Sequence, residues 1–100
     1  GGSGSGTFYN IIRFTSSTTV YIHSDTSTTH SSNSKGKMRS GTWYVYDSMT
    51  SNSNGRWYWI TRTCTYSNGQ VSNVQPTTSG WVNLDASLST VDSYINVPGV

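Results

Sequence analysis

Apolar and aromatic residues fall in short runs separated by long polar stretches. Residues 7–14 (TFYNIIRF) form the first run and predict a strand, and 15–19 are a polar turn. Val20-Tyr21-Ile22-His23 alternates, with Val20 and Ile22 on one face, and predicts a second strand. A long Ser- and Thr-rich loop follows over 24–34, then a short segment at Lys37-Met38-Arg39 and a turn at Ser40-Gly41. The strongest pattern is the pair 42–49 (TWYVYDSM) and 56–66 (RWYWITRTCTY). Between them lies Asn54-Gly55, which marks a hairpin because both residues tolerate positive φ. Asn68-Gly69 predicts another turn, 75–80 a polar loop containing Pro76, and Gly80-Trp81-Val82 a further short strand. Residues 85–88 suit a single helical turn, and Tyr94-Ile95-Asn96-Val97 a closing strand before Pro98-Gly99.

No apolar stripe at helical spacing exceeds two turns. Five to seven short strands with turn signals every 8–12 residues predict an all-β fold, a small barrel or sandwich. Composition agrees. The 100 residues allow one small domain, and they include 19 Ser, 15 Thr and 8 Asn against one Ala, two Leu and no Glu. Good helix formers are scarce. Polarity at this level suits disorder, but 13% aromatic residues do not. No apolar run approaches the ~20 residues of a membrane-spanning helix. The opening Gly1-Gly2-Ser3-Gly4-Ser5-Gly6 reads as a flexible linker or cloning scar, which leaves 7–100 as one domain.

Charge narrows the partners. Six Lys and Arg against four Asp give a net charge of +2. The basic residues are scattered, whereas a nucleic-acid binder clusters them on one face. Residues 35–39 (KGKMR) are the one dense group, and a weak, salt-sensitive attraction to an acidic polymer such as a bacterial wall is compatible with it. Cys64 is the single cysteine, so no internal disulfide supports the fold. Low charge and abundant Ser and Thr give an extracellular character, although no secretory signal is visible.

Strand alternation sorts the aromatic block into two faces. Trp43 and Val45 share one side of their strand, Tyr44 and Tyr46 the other; Trp57 and Trp59 oppose Tyr58 and Ile60. One reading leaves Tyr44, Tyr46, Trp57 and Trp59 outside as a platform for sugar rings or short peptides. The other makes the whole block core, covered by the N-terminal strand or the tail. A one-residue slip would exchange the faces. Trp81, beside a glycine, and Tyr66, at a strand end before the Asn68 turn, are further candidate ligand contacts. Arg56 and Arg62 suit either a carboxylate grip or plain solvation. Cys64 with His23 and His30 lacks the spacing of a nucleophile, base and orienting group. The two His and four dispersed Asp form no metal or paired-carboxylate signature, so no cofactor and no catalysis are expected.

The succession Val20-Tyr21-Ile22, Gly36-x-Met38-x-x-Gly41, Tyr44-Val45-Tyr46, Asn54-Gly55-Arg56-Trp57-x-x-Ile60-Thr61 and Gly80-Trp81-Val82 resembles bacterial SH3-like (SH3b) wall-binding domains over about residues 18–86. The part from Gly41 to Val82 is especially similar to the targeting domains of phage endolysins and zoocin A-type bacteriolytic exoenzymes. His23 stands where that family has an arginine, and the first strand and the tail after Leu88 are additional. The resemblance implies an SH3-like barrel with Val45, Ile60 and Val82 inside, Tyr58 and Trp43 with them. It implies a secreted, monomeric, non-catalytic module, linked to a catalytic domain, that binds the peptide stem or cross-bridge of Gram-positive peptidoglycan. A carbohydrate-binding or adhesin module using the same aromatics is the alternative.

Overall fold

The computed structural model describes residues 6–27, 31–84 and 90–100. The expected all-β architecture is present. Strands β1 (Phe8–Phe14), β2 (Tyr21–His23), β3 (Ser34–Lys37), β4 (Trp43–Asn52), β5 (Gly55–Ser67), β6 (Gln70–Asn83) and β7 (Val91–Pro98) form one sheet, and a 3-10 turn at Ser31–Asn33 precedes β3. Their order is β3-β2-β6-β5-β4-β1-β7, with every neighbouring pair antiparallel. Beyond β7 a parallel bridge joins Gly99 to Val71, and the Val100 N–H donates to the Val71 carbonyl at 3.0 Å. The helical turn expected at 85–88 lies outside the described residues.

A hairpin forms at each of the two signals, but only the second uses its pair as read. Asn52 pairs with Gly55, so the β4–β5 turn is made by Ser53 and Asn54; Gly55 is the first residue of β5 and alone of its pair has positive φ, at 113°. Asn68 and Gly69 take φ of 53° and 75° between the paired Ser67 and Gln70, the two positive-φ positions of a mirror-image tight turn. The loop expected at 75–80 is instead part of β6. Pro76 pairs with Arg62 where the β5–β6 register shifts between Ile60 and Arg62 and again between Thr63 and Thr65. Such irregularities admit a residue that lacks an N–H.

The sheet buries both faces, at opposite ends. One core joins Ile12, Phe14, Val20, Ile22, Met38, Tyr44, Tyr46, Tyr58, Ile60, Val82 and Leu84. The other joins Ile11, Trp43, Val45, Val71 and Val97, with Tyr9, Cys64, Tyr66 and Val74 packed against it. Adjacent residues such as Ile11 and Ile12, or Tyr44 and Val45, therefore feed different cores. The long strands connect them. At ~3.3 Å per residue, the 14 residues of β6 extend nearly the length of the molecule, whose long axis is 47 Å.

This corrects the expected faces. Val45 and Trp43 do not share an interior with Ile60, Val82 and Tyr58; they occupy the second core. Tyr44 and Tyr46, expected outside, are 3% and 7% exposed and pack in the first core. Trp57, expected on the platform, is 0% exposed. The four-ring shelf on β4 and β5 is not formed, because a sheet curled into two cores leaves no single outer face there. Of the four residues, Trp59 alone stays half-buried.

Candidate functional site

Trp57 and Trp59 point to the same side of β5, yet only Trp57 is covered. The His23 ring meets it edge to face at 5.6 Å. The Trp57 indole N–H donates to the Asn52 side-chain carbonyl at 2.8 Å, and the Asn52 amide donates to the Thr26 carbonyl at 2.8 Å. The loop after β2 is thus fastened to the β4–β5 hairpin over this indole. The same loop is braced from within. His23 Nδ1 lies 2.6 Å from Asn33 Oδ1, and Asn33 Nδ2 donates to Asp25 Oδ1 at 2.7 Å. Hydrogen bonds from the Ser27 hydroxyl and backbone N–H, foremost, hold the exposed Asp25 carboxyl below its ordinary pKa. His23 is buried and committed to this bracing, while His30 lies outside the described residues.

Trp59 pairs across the sheet with Trp81, as the two expected ligand contacts that do come together. Their rings meet edge-on, 5.3 Å apart at 65°, and both are half-buried. Lys35 Nζ lies 5.9 Å from the Trp59 ring centroid and donates to the Ser79 carbonyl. The pair presents two indole surfaces and one ammonium, a combination that holds a planar apolar group beside a hydrogen-bond acceptor.

A groove of about 400 Å³ lies among strands β2 to β6. Gly36 and Lys37 of β3, Pro76, Thr77 and Thr78 of β6, and Arg39, Thr42, Tyr44, Thr63 and Ile22 line it. Tyr44 therefore reaches a candidate site from the interior, as the groove's floor, and its hydroxyl accepts the Arg39 N–H at 2.8 Å. Tyr46 and Trp57 reach neither feature. The groove was not foreseen. Its one sequence signal is the dense basic segment 35–39, where Lys35, Lys37 and Arg39 recur at strand spacing.

Tyr66 belongs to a separate cluster at the second core. It lies 5.2 Å from Trp43 and 5.2 Å from Tyr94, and Trp43 and Tyr94 are 5.7 Å apart. Tyr94, read in the sequence as part of the closing strand and not as a ligand contact, is 47% exposed there. Arg13 lies over Trp43 at 4.6 Å while its Nε donates to Asp92 at 3.0 Å. Arg62 sits over Tyr9 and 3.9 Å from Asp47, so it is occupied locally. Arg56 is exposed, outside the lining of the groove.

Cys64 pairs with Trp43 and packs against the second core. Burial pushes its thiol up to about 11, more than nearby Arg62 offsets. At pH 7 only about one thiol in ten thousand is then ionised. Alkylation by iodoacetamide is expected to be slow at neutral pH and to accelerate toward pH 11; a rate at pH 7 equal to that of the unfolded chain would contradict this burial. Because the raised pKa opposes ionisation in the fold, stability is retained below the ordinary thiol pKa and falls as pH rises from about 9 to about 11. No group of three His, Cys, Asp or Glu positioned for a metal occurs among the described residues.

No protein-family model, curated protein or solved structure matches this chain.

Proposed function

We propose that the chain is a non-catalytic targeting domain of a secreted peptidoglycan hydrolase, docking on Gram-positive cell wall through the peptide stem or cross-bridge. The observation that carries the reading is the half-open Trp59–Trp81 pair with Lys35 beside it. Two indoles left partly in water supply large, rigid contact area, the usual anchor of a recognition surface. The resemblance of the sequence motifs over about residues 18–86 to SH3-like wall-binding domains supports the same reading. Tethered to a lytic domain, such a module raises the local concentration of enzyme at its substrate.

Trp59→Ala is the test. Cosedimentation with purified Gram-positive walls is expected to weaken about tenfold or more, the order of a hot-spot indole, with the far-ultraviolet spectrum and melting curve retained. Wall binding equal to that of the parent would remove the indole pair from the site. A polysaccharide-binding module is the second reading, favoured by the indole faces themselves. It requires that walls stripped of their peptides still sediment the protein; the peptide reading requires that they do not.

A further inference from the structure

We propose that the groove between β3 and β6 is a carboxylate-binding site that receives the C-terminal end of a short peptide. This deepens the wall-docking reading and rests on it for the source of the ligand, though not for the chemistry. Lys37 and Arg39 line the groove with four threonines, Thr42, Thr63, Thr77 and Thr78, and no acidic residue is among the lining. Both cations are exposed. The described carboxylates are engaged elsewhere: Asp25 with Ser27 and Asn33, Asp47 with Arg62 and Thr61, and Asp92 with Arg13. Among the described residues, no side-chain partner neutralises Lys37 or Arg39. Two exposed cations, lining one groove with threonine hydroxyls and Tyr44, make an oxyanion receptor in which the Arg39 fork can take both oxygens of a carboxylate.

Size and surroundings select a peptide end. The volume of about 400 Å³ sits at the lower end of the ~300–1,000 Å³ typical of small-molecule sites, too little for an extended polymer to be enclosed. Pro76, exposed, gives the otherwise polar lining a small apolar stretch, with Ile22 and Tyr44 buried behind it.

The test titrates the isotope-labelled chain with acetyl-Ser-Ala as the free acid, with the same dipeptide as its C-terminal amide, and with glycerol phosphate, following backbone amide shifts. The acid is expected to move the amides of Gly36, Lys37, Thr77 and Thr78 in a saturable way. The amide is expected to bind at least about fivefold more weakly, because the charge-assisted bonds are lost. Lys37→Gln with Arg39→Gln is expected to weaken the acid about tenfold or more, on the same ground, with the remaining spectrum unchanged. Lys37→Gln alone, a change of one exposed side chain, is expected to weaken it by about threefold and serves if the double variant does not fold. Equal binding of acid and amide, or indifference to these variants, overturns the site. Glycerol phosphate binding as tightly as the acid overturns the assignment to a peptide carboxylate. Cosedimentation with walls, run in parallel on the parent, separates the two ideas. Groove binding without sedimentation defeats wall docking alone, and sedimentation without groove binding defeats the carboxylate site alone.

Discussion

Trp57→Ala is expected to destabilise the fold by about 3–5 kcal/mol, the range for truncating a fully enclosed large aromatic. The indole is wholly shielded from solvent, and no other buried side chain among the described residues is larger. Its loss removes more than packing. The edge-to-face partner His23 is left against a void, and Asn52 loses the indole donor that fixes its amide toward the Thr26 carbonyl. The loop after β2 then loses part of its hold on the hairpin tip, where Asn54 also donates to the Thr26 and Ser27 carbonyls. For a chain of 100 residues, each kcal/mol moves the melting temperature by roughly 4–8 °C. The variant should therefore melt well over 10 °C below the parent, and it approaches unfolding if the parent lies near the lower end of the ~5–15 kcal/mol typical of domains. A melting point within a few degrees of the parent would show that Trp57 is not enclosed. The comparison with Trp59 is the informative one: two tryptophans two residues apart, on one side of one strand, with one carrying stability and the other proposed to carry binding.

Gly80→Ala is expected to be nearly as severe for its size, about 1–3 kcal/mol, as overpacking in a close backbone contact. A methyl group at this position would stand 2.6 Å from Ile22 Cγ2 and 2.7 Å from the His23 backbone carbonyl oxygen. The side chain of Ile22 could turn aside; the backbone of β2 could not without loosening its contact with β6, which is held through the pairing of His23 with Trp81. Gly80 itself pairs with Ile60 in the first core, so neither neighbour on β5 nor the strand above has slack. The denaturant midpoint should fall without a change in the steepness of the transition. An unchanged midpoint would mean that β2 does not lie over Gly80. By contrast Gly36, Gly41 and Gly69 have no atom near an added methyl, and there the positive φ alone restricts substitution.

Much of the local structure was legible. The first and last strands, the β4–β5 hairpin and the Asn68-Gly69 turn follow from alternation and turn chemistry, since a turn that needs positive φ is written in the residues that tolerate it. Pro76 misled for the same local reason: it suggests a loop, and only the pairing of β5 with β6 shows that a register irregularity accommodates it. The face assignment failed at Tyr44, Tyr46 and Trp57 because alternation gives two faces and is silent on which is covered. Here each face is covered somewhere, by different strands at each end. Cys64 and Tyr66 look alike in the sequence to any half-buried strand residue, and only the second core explains their burial.

The groove illustrates the limit most directly. Its lining comes from five strands and the turns near them, so no window of sequence contains it, although the segment from Lys35 to Arg39 announces a local excess of positive charge. Sequence alone determined that this chain makes strands, most of the places where it turns, and that its aromatics are concentrated in particular runs, because these depend on each residue and its immediate neighbours. Tertiary structure decided which rings are sealed, which pair remains open, and which cations come together along a groove, because each of those depends on which distant strand is laid alongside.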